Sequence, residues 1–143
     1  MFIGEYQHSI DAKGRMAMPV KFRAKLSSGA VVTRGLDKCL FVYAKEEWEI
    51  IAQKLANLPL SKANARAFAR LMLAGAMELD IDKQGRINLP KYLVKYASIA
   101  SSATVAGLYN RIEIWNPKDW EIYKSKAEEG STEIVEELGE LGV

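Results

Sequence analysis

The chain contains one cysteine and one histidine in 143 residues, and each scarcity removes a class of chemistry. A single cysteine cannot close an intramolecular disulfide, so the fold does not depend on an oxidising compartment. Cys39, between Lys38 and the apolar run Leu40-Phe41-Val42, reads as a small buried strand residue. With His8 the lone imidazole, no Cys/His spacing resembles a zinc site and no Ser/His/Asp set can be built. No phosphate-cradling P-loop occurs either. Long apolar runs are also missing: Leu71 to Leu73 and Leu40 to Tyr43 are far too short to span a bilayer. No charged, apolar and small-residue leader opens the chain, and the reading is a cytoplasmic protein. No cofactor, metal, membrane partner or small-molecule substrate is expected.

What is present is the composition of a globular protein, 49% hydrophobic and 27% charged, enough for one ordinary domain or for two small halves sharing a core. An internal repeat favours two halves. Asp11-Ala12-Lys13-Gly14-Arg15 recurs as Asp82-Lys83-Gln84-Gly85-Arg86, each preceded by Ile (Ile10, Ile81) and followed by Pro (Pro19, Pro90). The net charge of +2 conceals an asymmetry: residues 128 to 143 hold six Glu and no Lys or Arg, leaving residues 1 to 127 with 20 basic and 12 acidic side chains, a net +8. A basic body attracts phosphate-rich partners, whereas an acidic tail is commonly a solvated or masking segment.

Residues 2 to 10 predict a strand running into Asp-x-x-Gly, a hairpin tip from which Arg15 to Met18 return as the second strand. Pro19 suits the first turn of a helix through Val20, Phe22, Arg23 and Leu26. Ala30 to Thr33 and Cys39 to Tyr43 predict a second hairpin. An amphipathic helix follows from Lys45 to Asn57, with Trp48, Ile51, Ala52 and Leu55 on one face. A further helix is expected from a Ser61 cap to about Met77. It carries Lys62, Arg66 and Arg70 in one row, a solvated face, a contact for an acidic partner surface or, last of the three, a direct DNA contact. The second half repeats this order, with Gly35 matched to Gly107, Tyr43 to Trp115 and Trp48 to Trp120, the aromatics reading first as core anchors.

The two tips carry the chemistry. Arg15 and Arg86 each offer a planar fork that binds a phosphate or the O6/N7 edge of guanine bidentately, and Lys13 and Lys83 can add phosphate contacts. Asp11, Gly14, Asp82 and Gly85 can shape the turns. A purely structural Asp–Arg pair across each turn is one alternative. Another is an enzyme with Asp11 and Asp82 as a carboxylate dyad and Arg15 and Arg86 stabilising an anionic transition state, although hairpin tips are poor places to exclude water.

The run Asp11-x-Lys13-Gly14-Arg15 with Pro19, Phe22 and Arg23, its second copy with Gly85, Arg86, Pro90 and Leu93, and Ile112-Glu113-Ile114-Trp115 together resemble the MraZ family of bacterial transcriptional regulators. The resemblance covers essentially the whole chain. It implies a mixed α+β fold in which two pseudo-symmetric, AbrB-like swapped-hairpin modules form one small barrel-like core with flanking helices. On that reading residues 1–57 are the first module with its helix, 58–77 a linker helix, 78–127 the second module and 128–143 an acidic tail. It further implies a nucleoid-associated homo-oligomeric ring that binds double-stranded DNA at repeated boxes upstream of the division and cell-wall operon, with Arg15 and Arg86 at the contact. Gln84 in the place of Lys13 sets the second tip apart from the first. A different AbrB-like regulator, such as an antitoxin, is the runner-up.

Overall fold

The structure is a computed structural model and describes residues 1–142. It is a mixed α+β fold. The strands are β1 (Phe2–Ser9), β2 (Arg15–Ala17), β3 (Ala30–Arg34), β4 (Leu40–Ala44), β5 (Met77–Leu79), β6 (Arg86–Asn88), β7 (Ser102–Tyr109) and β8 (Ile112–Trp115). The helices are α1 (Val20–Arg23), α2 (Lys45–Ala56), α3 (Ala63–Ala69), α4 (Lys91–Tyr96), α5 (Pro117–Glu129) and α6 (Ser131–Glu137). Local chemistry accounts for several boundaries. Asn116 caps α5 by accepting hydrogen bonds from the amides of Lys118 (2.8 Å) and Asp119 (3.1 Å), with Pro117 in the first helical position. Helix α2 has Glu46 and Glu47 in its first turn and Lys54 in its last, as its dipole favours.

Six strands form one antiparallel sheet in the order β1-β7-β8-β4-β3-β5, and β2 pairs with β6 in a separate two-stranded ribbon. The order is a palindrome of the two halves, with β1 answering to β5, β7 to β3 and β8 to β4. The axis relating them passes through Met16 opposite Ile87 in the ribbon and Phe41 opposite Glu113 in the sheet. Each member of these two pairs is the repeat counterpart of the residue it faces.

The sheet is open among the described residues, so the barrel-like closure expected from the resemblance is not seen. Its edges are unequal: β1 runs for eight residues while β5 has three, too few backbone groups to meet β1 and close the sheet. Three further expectations are corrected. Strand β2 does not return along β1; a single bridge, Ile10 to Met16, joins them, β1 pairs with β7, and β2 crosses to the other half. The helix expected over 61 to 77 is capped at Lys62 rather than Ser61, ends as a widened turn over Arg70–Ala74, and yields Met77 to β5, which pairs with β3. Gly107 does not answer to Gly35: it faces Ile112 as Arg34 faces Leu40, because the second half has two extra residues before β7 and one fewer in the following hairpin loop.

The main core lies under the ribbon and draws equally on both halves, with Met16, Met18, Phe22, Leu26, Val32 and Leu40 meeting Ile87, Leu89, Leu93, Val105, Ile112 and Ile114. Phe22 sits edge-on to Phe2 and Tyr6, at ring-centroid distances of 5.3 and 5.4 Å. A second cluster is built from Cys39, Phe41, Tyr43, Leu55, Met72 and Trp115, with Trp48 and Trp120 packed against it. The corresponding pairs Tyr43–Trp48 and Trp115–Trp120 pack with their rings tilted, at centroid distances of 5.8 and 5.4 Å. Each half supplies half of the main core, so the cluster is complete only when the two are intertwined.

Candidate nucleic-acid interface

Both repeated motifs fold into the same turn. The amide of Gly14 donates to the carbonyl of Asp11 (3.0 Å) and that of Asp11 to the carbonyl of Arg15 (3.0 Å); at the second copy Gly85 bonds to Asp82 and Asp82 to Arg86, each at 2.9 Å. Gly14 and Gly85 have φ of +84° and +77°, the left-handed region that side chains disfavour. Each carboxylate then accepts three hydrogen bonds within its own turn. Oδ1 of Asp11 accepts from the amides of Lys13 and Arg15, and its Oδ2 accepts from Nε of Arg15 at 2.8 Å. Asp82 does the same with the amides of Gln84 and Arg86 and with Arg86 Nε at 2.9 Å. These amide bonds first, and the paired Arg as well, hold both carboxyl groups below the usual carboxylate range.

The turns brace each other across the axis. The Leu89 amide donates to the Gly14 carbonyl (2.8 Å) and the Met18 amide to the Gly85 carbonyl (2.9 Å). Met16 and Ile87 point inward from the ribbon, and strand alternation puts Arg15, Ala17, Arg86 and Asn88 on its outer face. Arg15 faces Asn88 and Arg86 faces Ala17, so the two guanidiniums lie on a diagonal of one ribbon face. Both are partly exposed, with 39% and 34% of the side-chain surface accessible. Because the carboxylates engage Nε, the terminal nitrogens of both Arg have no hydrogen-bond partner among the described residues. They are the atoms a fork-like contact uses.

Lys13 and Lys83 are exposed on the turns but occupy different places, since Lys83 corresponds to Ala12 and Lys13 to Gln84. The surroundings of the tips differ further. Arg23 donates Nε to the Met18 carbonyl (2.8 Å) and lays its guanidinium on Gly85, burying it, while Gly14 remains half-exposed. Beside the first tip, Lys91 and Lys95 of α4 line a cleft of about 220 Å³ together with Asp11 and Gly14. Local pattern alone places none of Arg23, Lys91 and Lys95 beside a tip. The signal lay in the repeat, whose counterparts of these three are Val94, Val20 and Ala24. His8 is held below its ordinary pKa by burial and by the charge of Arg23.

The aromatic pairs lie in the second core cluster, which contains no tip residue. Of the basic row, Arg66 donates to the Leu60 carbonyl (2.8 Å), while Lys62 and Arg70 are exposed. No helix among the described residues is long and apolar enough to cross a membrane. Comparison with known families matches the model described as "MraZ protein, putative antitoxin-like" twice, over residues 1–71 and 72–140. The length of the first match equals the 71-residue offset between Asp11 and Asp82. The tandem tips, the palindromic sheet and these two matches lead to one assignment: the chain belongs to the MraZ family and consists of two MraZ repeats.

Proposed function

We propose that this chain is a sequence-specific DNA-binding transcriptional regulator without catalytic activity, and that its ribbon face meets double-stranded DNA. The observation that carries this is the placement of Arg15 and Arg86 on one outward face, each anchored through Nε by its own Asp. An anchored guanidinium has lost most of its rotamer freedom before it meets a base edge or phosphate, so less entropy is lost on binding. In this reading Asp11, Gly14, Asp82 and Gly85 shape the tips, Arg15 and Arg86 read or grip the DNA, and Lys13 and Lys83 add phosphate contacts. Residues 1–57 and 78–127 are the presenting AbrB-like modules, 58–77 join them, and the acidic segment 128–143 follows, its first two residues closing α5. One subunit carries two small tips, so a ring of subunits engaging repeated boxes upstream of the division and cell-wall operon would raise affinity through effective concentration. Against catalysis, each Asp is occupied by its own turn and held ionised, which suits neither proton donation nor a shared-proton dyad.

The test is a titration of the DNA upstream of the chain's own gene with the parent, Arg15→Ala and Arg86→Ala proteins, all checked for fold and size. Loss of binding in folded variants of unchanged size is expected; parent-like binding by both would overturn the reading. With Lys13 gripping one phosphate, Lys13→Ala should lower the log–log salt slope by roughly 0.9.

A further inference from the structure

We infer that the acidic helix α6 of one copy docks head to tail into the groove between α2 and α3 of a second copy. This inference rests on the oligomeric reading above and names the surfaces that would build it. The groove has an apolar floor of Phe41, Ile51, Leu58, Phe68 and Met72, encloses about 280 Å³ and has Lys54 on its wall. Helix α3 and the widened turn after it carry Lys62, Arg66 and Arg70 at four-residue steps, and residues 61–77 contain no acidic side chain. Phe68 and Leu71 remain 37% and 51% exposed beside that row.

The complement is at the other end of the chain. Ile134 in α6, Leu138 at its C-terminal cap and Leu141 in the short 3-10 turn Gly139–Leu141 that follows are 44%, 39% and 73% exposed, so the chain's own fold leaves them uncovered. The residue before each of them is a glutamate, Glu133, Glu137 and Glu140, and residues 128–142 carry no basic side chain. The two surfaces are thus alike in apolar character and opposite in charge. No ion pair joins the rows within one copy among the described residues. Because the patch and its complement are different surfaces, the contact is heterologous and propagates to a closed ring or a filament.

Sedimentation of the full chain at micromolar concentration tests this, with far-ultraviolet circular dichroism as the fold control. Leu138→Asp disables the helix and leaves the groove intact; Phe68→Asp does the reverse. Both positions are already part-exposed, so neither change opens the main core. Each variant alone should sediment as a monomer, and an equimolar mixture should form a dimer and nothing larger, since one intact groove meets one intact helix. Arg70→Glu should dissociate the assembly, and adding Glu137→Lys should restore it. Parent-sized Leu138→Asp and Phe68→Asp proteins would overturn the docking while leaving oligomerisation standing. A monomeric parent would remove both, and a mixture that stays monomeric would refute the head-to-tail pairing. Arg15→Ala should keep the parent's size throughout.

Discussion

Gly14 and Gly85 are repeat counterparts with nearly the same φ, yet alanine at the two positions should behave differently. Both substitutions incur about 1–2 kcal/mol for a side chain in left-handed backbone. At Gly85 the added Cβ would overlap the guanidinium of Arg23, a flexible side chain that can move away at the expense of its bond to the Met18 carbonyl, a further ~1 kcal/mol. At Gly14 the Cβ would sit 2.5 Å from the Leu89 carbonyl oxygen, which belongs to the backbone that braces this tip. Arg23→Ala should therefore absorb part of the Gly85→Ala effect and none of the Gly14→Ala effect. The double variant Arg23→Ala/Gly85→Ala should be about 1 kcal/mol more stable than additivity predicts, whereas Arg23→Ala/Gly14→Ala should be additive to about 0.5 kcal/mol. Calorimetry reads this as roughly 3 °C in Tm for a chain of this size, with protomer concentration held fixed because association shifts Tm. Additivity in the Gly85 cycle, or relief in the Gly14 cycle, would refute the asymmetric bracing of the tips.

Asp11→Asn keeps an oxygen for the Lys13 and Arg15 amides but cannot accept from Arg15 Nε, so the fold should persist while DNA affinity falls by about 2- to 10-fold as Arg15 regains its freedom. Binding unchanged in a fluorescence-anisotropy titration would deny Asp11 its positioning role. Because the folded state depresses the carboxyl pKa of Asp11 and Asp82, their contribution is present above the ordinary carboxylate value near 4 and is lost as pH falls through the depressed values. Acid unfolding of Asp11→Asn/Asp82→Asn should accordingly show a shallower loss of stability below about pH 4 than the parent, and an identical acid limb would contradict it. Phe22→Ala removes a ring that is 2% exposed and edge-packed on Phe2 and Tyr6, and should cost about 3–5 kcal/mol in a urea melt. Burial raises the Cys39 pKa, so its thiol should react with a disulfide reagent at pH 8 far more slowly in the native than in the unfolded chain. Equal rates would place Cys39 at the surface.

Features encoded within a few residues were legible in the sequence. The Asp-x-x-Gly turns, the β3–β4 hairpin and helix α2 each depend on local turn chemistry or periodicity, and they stand close to where the residues imply. Pairing was not legible, because alternation in Arg15-Met16-Ala17 shows which side chain is buried and says nothing of the strand across from it. The same limit explains Met77: an Ala- and Leu-rich pattern continues the helical period through it, while β3 supplies a ladder that claims it as strand. The Gly35–Gly107 match misled because identical residues suggested one constant offset, which the extra residues before β7 had already broken. Arg23, Lys91 and Lys95 became visible once the crossing of β2 and β6 brought each half's helix beside the other half's tip.

The pair Phe41 opposite Glu113 has a consequence for how the two halves can exist. On a two-fold axis a homodimer must oppose identical residues, so the second half paired with itself would set Glu113 against Glu113. In the present chain that carboxylate is only 8% exposed and is satisfied by Trp115 Nε1 and by Arg111, whose guanidinium lies 4.9 Å from the Phe41 ring. Two such buried anions face to face would repel, and the ring that Arg111 stacks on would be gone. Two halves joined in one chain are free of the demand for self-complementarity on the axis, and Phe41 opposite Glu113 uses that freedom. The second half is thereby fitted at this position to the first and not to a copy of itself.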